Sequence, residues 1–170
     1  LVQKNVFFKL STLQVTRLVY GLNPFLESFE VARYIRNHSK KNDRIAVLGS
    51  EPQIYFFSHR KSATRHIYMY PLMERHAYAR KMQAELIQEV EATQPKFVVV
   101  ANLGGSWVSP RPHISPILKE WTQNYLNDEY EIQGVVDILS NGVTLYKWGD
   151  EAKGYHPQSR FHLLIYNRQP

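Results

Sequence analysis

Apolar residues fall into short solid runs alternating with helix-spaced patterns. Residues 44–48 place Ile-Ala-Val-Leu between Asp43 and Gly49, as in a strand buried on both faces. Residues 96–101, Lys-Phe-Val-Val-Val-Ala, read the same way. Before the first run, Phe25, Phe29, Ala32 and Ile35 recur on one helical face, and Asn23-Pro24 offers an N-cap followed by a first-turn proline. Ser50-Glu51-Pro52-Gln53 has capping-box spacing ahead of a short helix over 54–57. A second strand is expected over about 66–70, stopped by Pro71. The longest helical pattern covers 73–92 and leaves before Pro95. Ser115-Pro116 opens another helix, with Ile117, Leu118, Trp121, Tyr125 and Leu126 inward. Residues 130–139 and 143–148 flank Ser140-Asn141-Gly142, a strong hairpin signal. A last strand is expected over 161–166, after a polar linker at 149–159.

Strand and helix alternate from 23 to 127, which predicts a parallel sheet with helices on both faces. The expected fold is α/β: a three-layer α/β/α sandwich, Rossmann-like, with a mostly parallel sheet and a C-terminal antiparallel hairpin. Residues 20–170 are expected to form a single soluble domain. Residues 1–19, with Val6, Phe7, Phe8 and Leu10, read as a lead-in from a preceding membrane span. The opening Leu1-Val2-Gln3-Lys4 is expected of a piece of a longer protein.

Hydrophobic residues at 44% and charged residues at 21% argue against disorder. The absence of cysteine removes disulfides, thiolate zinc sites and thiol catalysis. The net charge of +6 is uneven: residues 1–82 carry 14 Lys/Arg against 5 Asp/Glu, and residues 83–170 carry 7 against 10. A basic half suits anionic lipid, phosphate or nucleic acid, or is a plain solvated face. No RNP pattern or recognition helix supports nucleic acid as a partner.

The turn Gly49–Gln53 sits where open α/β sheets bind ligands, and its helix start offers free N–H groups to an anion. It lacks G-x-G-x-x-G and a phosphate-loop lysine, and Glu51 repels phosphate. A turn closed by Ser50 and Gln53 is the competing reading. After the 96–101 strand, Ser106-Trp107 in a Gly/Ser/Pro-rich loop offers a ring for sugar stacking or a membrane interface, or simply covers the sheet end. Tyr55 and Arg65 belong to an aromatic and basic stretch, 55–78, that suits a glycan or phosphate headgroup, or reads as core rings with charged flanks. Candidate ligand-binding residues are therefore Ser50, Glu51, Gln53, Tyr55, Arg65, Ser106 and Trp107. The seven histidines show no metal-ligand spacing, so neither metal nor cofactor is expected. Glu85 and Glu89 share a helical face and read as solvated.

Several phrases together resemble one family. They are Tyr20-Gly21-x-Asn23-Pro24-Phe25-x-Glu27-Ser28, residues 43–55 from Asp43 to Tyr55, Ser62-Ala63-Thr64, Tyr70-Pro71-Leu72-Met73-Glu74, Ser106-Trp107 and Tyr146-Lys147-Trp148-Gly149. Across roughly 15–150 the chain is similar to the soluble C-terminal domain of polyprenyl-phosphate-dependent membrane glycosyltransferases, the dolichyl-phosphate-mannose–protein mannosyltransferase-like family. The resemblance implies a multi-pass parent enzyme with this domain on the extracytoplasmic (periplasmic) side of the cell membrane. Its partners would be the membrane surface, the parent's own N-terminal transmembrane region, and a lipid-linked sugar or a glycan or protein acceptor. The family's catalytic acids lie in loops between membrane helices that this sequence does not include, so no catalytic residue is carried over and an accessory role is implied. The alternative from the residues alone is an independent soluble α/β enzyme binding a nucleotide or small ligand.

Overall fold

The computed structural model describes residues 9–103 and 116–169. Its elements are α1 (Thr12–Tyr20), α2 (Glu27–Asn37), β1 (Arg44–Leu48), α3 (Gln53–Ser58), β2 (Lys61–Ser62), α4 (Tyr70–Met73), α5 (Ala79–Thr93), β3 (Phe97–Asn102), α6 (Pro116–Glu129), β4 (Tyr130–Ser140), β5 (Val143–Trp148), α7 (Asp150–Lys153) and β6 (His162–Arg168). The fold is α/β, built on one mixed, open six-stranded sheet of order β2-β1-β3-β6-β4-β5.

The sheet is not mostly parallel. β1 pairs in parallel with β2 and β3, whereas β3–β6, β6–β4 and β4–β5 are antiparallel. The physical reason is where the last strand goes. The α6 crossover returns β4 in the same direction as β3, as a helical connection requires. The two are not neighbours, and β6 runs back between them, bonding to both. The hairpin at Ser140–Gly142 forms as expected. The strand expected over 66–70 does not form, and the paired segment is the shorter β2.

Successive residues of β1 and β3 enter two different hydrophobic clusters, because strand side chains alternate between faces. Ala46, Leu48, Val98 and Val100 pack with Leu86 and Val90 of α5 and with Leu118 and Leu126 of α6. Ile45, Val47, Phe97 and Val99 pack with Val31 and Ile35 of α2 and with Ile54 and Tyr55 of α3. In β4, a Cβ added to Gly134 would come within 2.3 Å of the Trp148 ring. That ring lies flat on Tyr34 at 4.1 Å, so only glycine leaves room for the stack.

Helix boundaries depart from the sequence reading where a distant partner intervenes. α2 begins at Glu27, with Leu26 as an N-cap that makes no side-chain bond, so Asn23-Pro24 is a turn and not the helix start. Its inner face is Ser28, Val31, Ala32 and Ile35, and Phe25 and Phe29 are exposed. The 73–92 pattern is broken into α4 and α5. The Ser50–Gln53 capping box is absent, whereas an unanticipated one closes α1: Gln14 N–H donates to Ser11 Oγ, and Ser11 N–H donates to Gln14 Oε1.

Candidate functional site

β1 and β3 lie side by side and point the same way, yet the helices that follow them leave toward opposite faces. α3 packs on the Val47 side and α6 on the Val100 side. In open α/β sheets such a divergence opens a crevice beyond the strands' carboxyl ends. Gly49, Ser50 and Glu51 follow β1 at that position, and Asn102 and Leu103 lie at the end of the neighbouring β3.

The polar groups around it are largely engaged with the protein itself. Ser50 Oγ accepts the Met69 N–H at 3.2 Å, and Glu51 is 4% exposed. Gln53 Nε2 donates to Ser28 Oγ at 3.1 Å, and Ser28 Oγ donates to the Pro24 carbonyl at 2.6 Å. Tyr55 reaches back under β1, where its hydroxyl oxygen accepts the Val47 N–H at 2.8 Å. Burial pushes the Tyr55 phenol up, against the downward pull of its Ser62 and Val47 hydrogen bonds. Arg65 is turned away from the crevice group and ion-pairs with Glu89. That carboxylate also accepts from Thr64 Oγ1 at 2.7 Å and from the Arg65 N–H at 2.9 Å. Partial burial raises the Glu89 pKa, and these bonds outweigh it, holding the group below the usual carboxylate range. Glu89 is thus a structural acceptor, not a solvated face residue. Ser106 and Trp107 lie outside the described residues. Of the sequence candidates, the structure brings Ser50 and Glu51 to the strand ends. Gln53 and Tyr55 serve as struts of α3.

Sequence reasoning missed a second set of groups at the same sheet edge. Asn102, His162 and Asp137 occupy one row across β3, β6 and β4. His162 Nδ1 lies 2.8 Å from the Ser159 carbonyl, which can only accept, so Nδ1 carries a proton. Nε2 lies 2.8 Å from Asn102 Nδ2, a side-chain bond that ties the end of β3 to β6. Asp137 is fully buried and accepts from Tyr155 Oη at 2.8 Å, Gln158 N–H at 2.7 Å and Ser159 N–H at 3.1 Å. Burial first, then the Asp137 carboxylate, raises the Tyr155 pKa. The signal for Asp137 was available as a lone acid inside Val135-Val136-Asp137-Ile138-Leu139. Asn102 and His162, at strand ends, carried none. Among the described residues no group of three His, Asp or Glu side chains is placed to hold a metal.

A different surface stands out on the α2–α3 side. α1 buries a single residue, Arg17, and exposes Leu13 (51%), Leu18 (63%), Val19 (59%) and Tyr20 (53%). Arg17 ion-pairs with the buried Glu27, which also accepts from Thr144 Oγ1 at 2.8 Å. The exposed apolar surface continues through Phe25, packed on Tyr20 with ring centres 4.7 Å apart. Phe29 is stacked on Phe57 at 3.9 Å, and Phe56 meets Phe57 edge-on at 5.4 Å. Phe56 is 72% exposed.

No protein-family profile, curated protein or solved structure matches the chain. Among the described residues no helix is long and apolar enough to cross a membrane.

Proposed function

We propose that this domain is the extracytoplasmic part of a membrane glycosyltransferase that uses a polyprenyl-phosphate sugar, and that it positions donor or acceptor without carrying the transfer chemistry. The observation that carries the reading is the inverted α1. A helix in contact with water normally turns its apolar stripe inward, and this one turns a paired arginine inward and its apolar residues outward. With the Phe25, Phe29 and Phe56 rings it makes a surface suited to the headgroup–acyl boundary, where aromatic and aliphatic side chains partition favourably. The phrases that resemble the glycosyltransferase family suggest the donor class. The same reading takes the fold as a three-layer α/β/α, Rossmann-like sandwich, supported by the two clusters on opposite faces of β1 and β3.

Co-sedimentation with phospholipid vesicles tests it. The wild-type chain is expected to bind, and the triple change Leu18→Ser, Tyr20→Ser and Phe56→Ser to weaken binding at least about tenfold, since each side chain removed from the interface is worth on the order of 1 kcal/mol. Negligible binding by the wild type sinks the reading.

The crevice between β1 and β3 favours a second reading, an independent α/β enzyme holding a nucleotide or small ligand. That reading requires a soluble nucleotide to shift the amide signals of Gly49–Glu51 and Asn102–Leu103 in the absence of any membrane.

A further inference from the structure

At the sheet edge where β1 and β3 begin, four adjacent strands each bring a cation to one row. Arg44 is in register with Lys61 of β2. Ile45 faces Phe97, and Phe97 faces Asn167, so one step outward Arg44, Lys96 and Arg168 come into line. Backbone bonds fix the alignment: Lys96 N–H donates to the Arg44 carbonyl at 2.8 Å, and Arg168 N–H donates to the Lys96 carbonyl at 3.0 Å. Strand alternation sets all four on the face shared with Ala46, Val98 and Tyr166. Arg44, Lys96 and Arg168 line an open groove of about 520 Å³, together with Asp43 and the C-terminal end of α5 at Thr93 and Gln94.

Like charges directly opposite one another across strands are destabilising, and the fold neutralises this row only in part. Glu129 takes Arg168 Nη2 at 2.7 Å. Arg168 Nη1 is buried without a hydrogen-bond partner. Arg44 Nη1 donates to the Ser62 carbonyl at 2.7 Å, and Asp43 Oδ2 is occupied by the Lys40 N–H at 2.7 Å. Among the described residues, Lys61, Arg44 and Lys96 have no carboxylate within ion-pairing distance. The negative pole of α5 is equivalent to about half a charge. The four cations of the row against two carboxylates, Asp43 and Glu129, and that pole leave this end of the sheet positive.

We propose that this groove binds a phosphate group. The Lys96 ammonium, beside the Arg44 nitrogens that Ser62 does not take and the Arg168 charge, suits the several oxygens of a phosphate mono- or diester. The site lies at the sheet edge opposite the β1–β3 crevice and does not depend on the reading proposed above.

Two titrations of the full chain test it: pyrophosphate at low salt, followed by amide chemical shifts, and sedimentation with phosphatidylcholine vesicles with and without phosphatidylglycerol. A soluble phosphate ligand predicts saturable shifts at Arg44, Gln94, Lys96 and Arg168. A lipid headgroup predicts instead a gain in vesicle binding that requires phosphatidylglycerol. In either case Lys96→Gln is expected to weaken binding at least tenfold and Lys96→Arg to retain it. Arg44→Gln serves as a second loss variant, and unchanged thermal midpoints confirm the fold. Leu18→Ser and Phe56→Ser should leave the pyrophosphate titration untouched, which separates this site from the apolar surface. No saturable response to either probe, or a response that survives both Lys96→Gln and Arg44→Gln, overturns the proposal.

Discussion

Helix α5 turns Gln83, Leu86 and Val90 inward and shows Arg80, Lys81 and Gln88 to solvent. Helix α1 turns Arg17 inward and shows Leu13, Leu18, Val19 and Tyr20. Both are held to the same domain by different means. α5 is attached through apolar packing into the cluster around Val98 and Val100, whereas α1 is attached through a buried ion pair with Glu27 and the Arg17 hydrogen bonds to the Gly21 and Asn23 carbonyls at 3.3 and 3.4 Å. Apolar surface is what normally secures a helix to a core. A helix that withholds it and is pinned by charge instead has its apolar face free for something else.

The largest effect should come from breaking the pin. Glu27→Ala leaves the Arg17 charge buried and uncompensated, and is expected to cost about 3–5 kcal/mol, measured by urea unfolding. Loss of α1 amide protection ahead of global unfolding would locate that cost in the pin. A cost within about 0.5 kcal/mol would mean that α1 is held by packing after all.

Leu86→Ala in α5 should cost about 2–5 kcal/mol by leaving a cavity in the core. The matched Leu18→Ala in α1 should fall within about 0.5 kcal/mol, as exposed substitutions do. Equal costs would erase the contrast between the two helices.

Alkaline pH probes the pin more gently. Burial, then the carboxylates of Glu27 and Glu30, push the Tyr146 phenol up to about 12, with Arg17 opposing. The folded state therefore favours the neutral phenol. Its contribution is fully present below pH 10, the ordinary tyrosine value, and is lost as pH rises from there through about 12. A Tyr146 titration followed by ultraviolet absorbance near pH 10 would contradict the burial and charge environment described.

What the sequence revealed depended on how local the determinants were. Strands β1 and β3 were legible because Ile45–Leu48 and Phe97–Ala101 are solid apolar runs with polar or turn residues beside them. The β4–β5 hairpin was legible because Asn141-Gly142 encodes its own turn. β6 was seen as a strand, but its insertion between β3 and β4 is a tertiary choice that no local pattern encodes, and the expected mostly parallel sheet failed on that point. The Ser50–Gln53 capping box failed for a related reason. Ser50 and Gln53 found partners in Met69 and Ser28, far along the chain. Part of the candidate site was legible as a position, the turn after β1. The Asn102–His162 bond, the Arg17–Glu27 pin and the cation row arise from register and packing, which spacing along the chain does not carry.

On the reading proposed above, the outward apolar face of α1, with Phe25, Phe29 and Phe56, rests on a lipid surface. Depth-resolved fluorescence quenching tests it most directly, with a tryptophan placed by Leu18→Trp and compared with Gln88→Trp on the exposed face of α5. The probe on α1 is expected to be quenched by brominated lipid and to shift to shorter wavelength when vesicles are added, while the probe on α5 does neither. Equal responses from the two probes, or none from α1, would contradict it.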